Sequence, residues 1–359
     1  MLSNRLTQRL SIQFPIIQAP MAGGITTSEL VSESSNAGAL GMIGAGYLTP
    51  MQLKKQIRSI KKLTTSPFGV NLFVPEEVVV SKTLIEESNS VLSLIRKELK
   101  IFPIDLFHFP TKESLDTIFM DNIKVIIEEK VPVCSFTFGI PSEDVIKKLK
   151  MNDVFLIGTA TTVEEAIANE SAGMDAIVAQ GSEAGGHRGS FLYPEKENAV
   201  GLMSLIPQIV DHVAIPVIAA GGIMDGRGLV ATHFLGAEGC QMGTAFLTCD
   251  ESGAPAEHKD AILETREDQI IMTRAMTGKW AKGIENRFMS NFNIKSLQYS
   301  CFAVHSTLTQ DIRKYAKENC QPDFMSLWSG QSPRLAKTQK VSMLVSSLVQ
   351  EVKNILPDA

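Results

Sequence analysis

The residues best placed to do chemistry are His187 and Arg188, side by side in the glycine-rich run Gln180-Gly181-Ser182-Glu183-Ala184-Gly185-Gly186-His187-Arg188-Gly189. Glycine takes positive φ without strain and lets backbone approach a bound group closely. An imidazole titrates near neutral pH. Together they describe an acid–base residue carried on a ligand-hugging loop, with His187 as the candidate. The plainer alternative is a mobile surface loop with a solvated His–Arg pair. Asn71 and Gln180 end apolar runs, and an amide there offers a donor and an acceptor to the edge of a heteroaromatic ring. Either amide alone could equally cap a strand end. Two further loops, Gly221-Gly222 and Gln241-Met242-Gly243-Thr244, carry backbone N–H groups of the kind that cradle a phosphate dianion, with the Thr244 hydroxyl as another donor.

The remaining titratable groups are weaker candidates. His212 ends a helical pattern, where it answers the helix dipole. His233 falls within a helix, His258 in a charged stretch and His305 in the helical tail, while His108 lies in the insertion and could overhang the site. Glu183 reads first as a solvated carboxylate, and only then as a partner for Arg188 or an orienter of the imidazole. Arg188 itself is a weak candidate for attracting anionic substrates. No histidine pair with carboxylate spacing points to a metal, so none is expected. The five cysteines, at 134, 240, 249, 301 and 320, form no CxxC, and reduced thiols are the simplest state.

These loops need a frame that points them to one place. Short apolar runs of the kind buried parallel strands show occur at 15–19, 41–46, 68–73, 131–136, 154–157, 176–179, 216–220 and 239–242. Helix-start signals lie between them: Thr26 with Glu29, Thr49-Pro50 with Gln52, Ser142, and Thr162 with Glu165. This α/β rhythm predicts a TIM (β/α)8 barrel, whose active site lies at the C-terminal ends of the strands and which commonly binds phosphate after strands seven and eight. The loops Pro20-Met21-Ala22, Asn71, Gln180 to Gly189, Gly221-Gly222 and Gln241 to Thr244 then converge. A dinucleotide fingerprint is missing after the first run, which counts against a Rossmann sheet.

An insertion over about 75–120 follows the third strand, with two helical patterns and an aromatic-rich piece at 101–110. From 251 onward strands are no longer expected, and the chain ends in an amphipathic pattern from Val341 to Ile355. The expected organisation is a barrel over 1–250, a helical substrate-covering region over 251–335, and a C-terminal helical segment over 336–359 packing on the barrel.

With 44% hydrophobic and 20% charged residues in 359, a sizeable core is expected. A net charge of −5 without a basic block argues against a nucleic-acid partner. No apolar run approaches the roughly 20 residues of a membrane helix. The polar stretch Met1 to Arg9 lacks a signal core, so a cytoplasmic location is expected.

Several motifs, in order, resemble those of the nitronate monooxygenases, flavin enzymes formerly called 2-nitropropane dioxygenases. They are Gln18-Ala19-Pro20-Met21-Ala22-Gly23, Gly69-Val70-Asn71-Leu72-Phe73, the His187 loop, Ile218-Ala219-Ala220-Gly221-Gly222-Ile223 and Gln241-Met242-Gly243-Thr244. The likeness continues through Thr273-Arg274-Ala275 and Gly283-Ile284-Glu285-Asn286-Arg287 to Leu327-Trp328-Ser329-Gly330-Gln331. It implies FMN held non-covalently by Pro20, Met21, Ala22, Asn71, Gln180, Gly185, Gly186, Gly221, Gly222, Gln241, Met242, Gly243 and Thr244. His187 falls on the family's active-site histidine. The implied reaction is oxidation of an alkyl nitronate, such as propionate 3-nitronate, by O2 to a carbonyl compound and nitrite, a detoxification, with a homodimer as a compatible assembly. Phe302 departs from a family segment that usually begins with tyrosine. The Glu183-Ala184-Gly185-Gly186-His187 and Ala219-Ala220-Gly221-Gly222 motifs are also similar to those of FMN- and NAD(P)H-dependent enoyl-acyl-carrier-protein reductases. The strand end Ser135-Phe136-Thr137-Phe138-Gly139 and the long helical tail favour the nitronate enzymes. A third reading is a flavin-binding barrel without turnover.

Overall fold

The computed structural model describes residues 1–101, 108–197, 199–292 and 298–357, so most of the aromatic-rich piece of the insertion lies outside the described residues. Strands β1 (Ile16–Gln18), β2 (Gly41–Gly44), β3 (Phe68–Phe73), β4 (Val133–Thr137), β5 (Phe155–Ala160) and β6 (Ala176–Gln180) coincide closely with the apolar runs. A two-residue strand outside the barrel, β7 (Gly186–His187), precedes the seventh and eighth barrel strands, β8 (Val217–Ala220) and β9 (Gly239–Met242). All neighbours in the eight-stranded sheet are parallel, in the order β1-β9-β8-β6-β5-β4-β3-β2. A parallel bridge from Ile17 to Leu40 joins β1 to the start of β2 and closes the barrel. The result is a TIM barrel, with its strands buried on both faces as continuous apolar sequence requires.

Leu6 and Leu10 of the first helix, Arg5–Leu10, pack with Val133, Phe155 and Ala176 at the starts of their strands, plugging the N-terminal end. The opposite end is left for ligands. The helix starts are mixed. The Thr49–Gln52 capping box forms on both sides. At the helix Ser28–Asn36 the cap is Thr27, not Thr26. The Thr26 hydroxyl instead accepts from the Gly44 amide at 2.9 Å, tying the loop after β1 to the end of β2. Ser142 makes no side-chain cap bond. Thr162 caps its helix, but the Glu165 carboxylate accepts from Thr161 and from the Phe191 and Leu192 amides, anchoring the chain beyond β7.

Between β3 and β4 run the helices Lys82–Leu99 and Lys112–Glu128. The second continues the barrel's own layer, burying Phe119, Ile123 and Ile126 beside Val70 and Phe136. The first packs through Leu92 and Ile95 on the helices Phe302–Leu308 and Gln310–Glu318, and Arg96 pairs with Asp311 at 2.7 Å. The expectation that strands stop at 251 is overturned: β10 (Ile270–Thr273) and β11 (Ala281–Ile284) form an antiparallel sheet with β7. Each is four residues long and β11 contains Lys282 and Gly283, so neither offers a readable alternation. The helix Val341–Ile355 lays Val341, Leu344, Val345 and Leu348 against Leu30, Leu229 and Val230 of the barrel's outer layer. Among the described residues no helix is long and apolar enough to cross a membrane.

Candidate active site

The C-terminal ends of the strands open into a cavity. Pro20, Met21, Ala22, Asn71, Gln180, Gly185, Gly186, His187, Gly221, Gly222, Gln241, Met242, Gly243 and Thr244 all line it, so the structure brings together His187 and every residue expected at the flavin, though not Arg188 or His108. The loop carrying His187 is not a mobile surface segment. Gln180 clamps it at two points, donating from Nε2 to the His187 carbonyl at 2.9 Å and accepting at Oε1 from the Gly189 amide at 2.8 Å. The ladder from β7 to β11 holds Gly186 and His187 opposite Lys282 and Ala281. The Arg188 amide donates to the Trp280 carbonyl at 2.8 Å.

The imidazole is fixed as firmly as its backbone. His187 Nε2 lies 2.8 Å from the Thr277 hydroxyl, which can serve either tautomer. Phe138, Phe302 and Trp328 surround the ring at centroid distances of 5.9, 5.4 and 5.4 Å. Burial among these rings, with Lys279 and Arg313 adding positive charge nearby, pushes the His187 pKa down to about 3. The ring is therefore neutral at physiological pH. Lys279 is itself paired with Glu76 at 2.8 Å and lies over the Phe138 ring.

Asn71 donates to the Ser135 and Thr137 hydroxyls at 2.9 and 3.1 Å, which turns its amide by way of β4. Among the described residues its carbonyl oxygen has no partner within the chain. At the far side of the cavity Gly221 and Gly222 take φ of +137° and +62°, and a Cβ on Gly221 would come within 2.8 Å of the Ala184 amide nitrogen. Thr244 accepts from the Gly330 amide at 2.9 Å and keeps its own proton for another acceptor. The Gly222 and Gly243 amides make no backbone bond among the described residues. This glycine rim has the free donors and close backbone that could cradle a compact oxygen-rich anion.

Other expectations are corrected. Arg188 is buried, with Nη1 on the Gly181 carbonyl at 2.5 Å, and does not line the cavity; its role is in the loop. Glu183 is half-buried and not on the imidazole, and its charge acts on the Arg188 guanidinium. It accepts from the Leu202 amide at 2.9 and 3.1 Å, capping a helix whose N-cap residue is the side-chain-less Gly201. His108 is exposed and lines no part of this cavity. His258, in a charged stretch, is nonetheless buried on the Trp328 carbonyl at 2.9 Å. His305 bonds the Ala275 carbonyl at 2.8 Å, and burial lowers both histidines to about 4. Sequence reasoning missed Thr277, Lys279, Phe138 and Tyr47. Of these only Phe138 had a local signal, Phe138-Gly139 at a strand end, where the chain takes positive φ at both residues.

The comparisons agree with this geometry. The family model for nitronate monooxygenase matches residues 3–351. A probable nitronate monooxygenase of Staphylococcus haemolyticus is 51% identical over 357 residues, covering 99% of this chain and 98% of its own. A nitroalkane oxidase structure from Streptomyces ansochromogenes superposes with a TM-score of 0.88 at 35% identity, covering 97% of this chain and 98% of that one. FabK from Thermotoga maritima is more distant, with a TM-score of 0.77 at 29% identity and coverage of 99% and 98%. The chain belongs to the nitronate monooxygenase family and is an enzyme of it.

Proposed function

We propose that this enzyme binds FMN in the cavity and oxidises alkyl nitronates of the propionate 3-nitronate type with O2, giving a carbonyl compound and nitrite. The balance is two nitronates per O2: one oxygen atom is added at each nitronate carbon, each C–N bond breaks with its electron pair leaving on nitrite, and two carbonyl compounds and two nitrites result. The observation that carries the reading is a neutral imidazole, restrained on backbone and side chain, facing the same cavity as the glycine cradle. The residues present fit the cofactor. Gly222, Gly243 and Thr244 would hold its phosphate. Asn71, Gln241 and the Pro20-Met21-Ala22 loop would flank its ring, with Gly185, Gly186, Gly221 and Met242 giving close backbone approach. Gln180 would act mainly by holding the His187 loop. Bound there, FMN supplies the one-electron chemistry that links the nitronate to O2.

The protein's part is positioning and charge. His187, neutral and backed by Thr277 at Nε2, would use Nδ1 to hydrogen-bond a nitronate oxygen. A group that ionises only near 3 is a poor base at neutral pH, so hydrogen bonding suits it better than proton abstraction from a nitroalkane. The rings of Phe138, Phe302 and Trp328 exclude water around it. We also take 1–250 as the cofactor-binding barrel, 251–335 as the region covering substrate, and the segment from 336 onward as a structural addition. Purified enzyme given propionate 3-nitronate should consume O2 and release nitrite and the aldehyde together. NADPH oxidation driven by an enoyl thioester, with no nitrite from the nitronate, would replace this reading with the reductase.

A further inference from the structure

A second cavity adjoins the first and shares Tyr47, Phe73 and Phe138 with it. Most of its wall is apolar, including Leu72, Leu115, Phe119 and Ala303, but Arg313 also lines it. The charges around this cavity do not balance. Asp311 gives both carboxylate oxygens to Arg96, at 2.7 and 3.2 Å. Glu76, also in the wall, pairs with Lys279. Arg313 is left with neutral acceptors: the Thr309 hydroxyl at 3.1 Å, the Ser306 carbonyl at 2.8 Å and the Ser306 hydroxyl at 3.0 Å. Asp311, already committed to Arg96, acts on Arg313 only from a distance, and among the described residues no carboxylate lies within ion-pair distance of it. Arg313 is half-buried, and a guanidinium taken partly out of water without a paired carboxylate is better stabilised when an anion meets it.

The guanidinium is also well placed relative to the site. It is fixed to Ser306, one helical turn beyond Phe302, whose ring touches His187. Tyr47, whose ring stacks on Phe302, is near enough for its hydroxyl to feel the same charge. We infer that Arg313 is a specificity residue that receives a carboxylate at the far end of the substrate, while the nitronate end lies beside His187. The inference rests on the nitronate reading and deepens it: the preferred substrates are nitronates with an anionic tail. The second cavity accommodates that tail along its aromatic wall, and Arg is suited to bidentate carboxylate recognition.

The test compares kcat/KM of the FMN-loaded enzyme for propionate 3-nitronate and for propyl 1-nitronate, which lacks the carboxylate. The wild-type enzyme should prefer the former. Arg313→Gln should lower that preference at least tenfold, about 1.4 kcal/mol, and Arg313→Lys should restore part of it. An equal fall on both substrates, or no change in the ratio, would overturn the assignment. Should Arg313→Gln fail to fold, calorimetry on the wild-type enzyme decides: butyrate should bind and butan-1-ol should not, and equal behaviour of the two would refute the site. Butyrate binding needs no turnover. An enzyme that binds butyrate selectively but oxidises no nitronate would therefore sink the catalytic reading alone, and nitronate oxidation without carboxylate preference would sink this inference alone.

Discussion

His187 was legible from sequence because its neighbours are glycines, and glycine is informative where backbone must come close to something. Its chemistry was not legible. The Thr277 hydroxyl that meets Nε2 is ninety residues away in the chain, and the three rings that keep it neutral come from three separate segments. The consequence is measurable. With burial holding its pKa near 3, His187 contributes no protonation step on going from neutral pH down to about 5. Binding an anionic nitronate would raise that value, since opposite charge favours the imidazolium. For preformed nitronate, kcat/KM should therefore show no enzyme limb near the ordinary histidine value of 6.5. His187→Asn, whose shorter side chain withdraws the hydrogen bond, should lower kcat/KM on the order of 10- to 100-fold. A wild-type limb near 6.5 that disappears in His187→Asn would show instead that the ring works as a titrating base. Arg188 shows the opposite lesson: next to His187 in sequence, it is turned into the protein by the alternation of β7 and serves the loop.

The barrel strands were readable as elements because parallel strands buried on both faces are uninterrupted apolar runs, and the structure moves their ends by only a few residues. The small sheet of β7, β10 and β11 was not, since its pairing joins residues 187 and 281 and none of its strands exceeds four residues. That sheet nonetheless sets the position of His187. Helix caps were half readable: Thr49 behaves as its motif says, whereas Thr26 turns to the amide at the end of β2 and Glu165 to loop amides that need a partner. The turn from β9 into the short helix Thr244–Leu247 gives a test at this scale. Gly243 has φ −101°, and a Cβ there would meet only Ala19 Cβ at 3.7 Å and Met21 Sδ at 4.0 Å, ordinary contacts. Gly243→Val should therefore fold normally, by circular dichroism, yet retain at most about a tenth of the wild-type flavin after dialysis, as expected for blocking a phosphate cradle. Undiminished flavin would place the phosphate elsewhere. Gly185 would be an unsuitable control, because its Cβ would come within 2.5 Å of the Gly330 amide nitrogen and disturb the fold itself.

At the scale of the whole molecule, the barrel gathers loops more than two hundred residues apart around one opening, with Trp328 in its wall and Phe302 against the His187 ring. Charge is arranged at the same scale: the chain is net negative, yet Lys279 and Arg313 make the surroundings of His187 positive, which suits an anionic substrate. The composition could not reveal this local reversal, because it depends on which cations the fold pairs off. The measurement closest to the central claim is the anaerobic visible spectrum of the purified enzyme, recorded before and after propionate 3-nitronate, with NADPH added to a parallel sample. A yellow protein whose flavin band changes with the nitronate, recovers on admitting air and barely responds to NADPH is the predicted result. Complete bleaching by NADPH with no response to the nitronate, or a colourless protein that takes up no FMN, would contradict it.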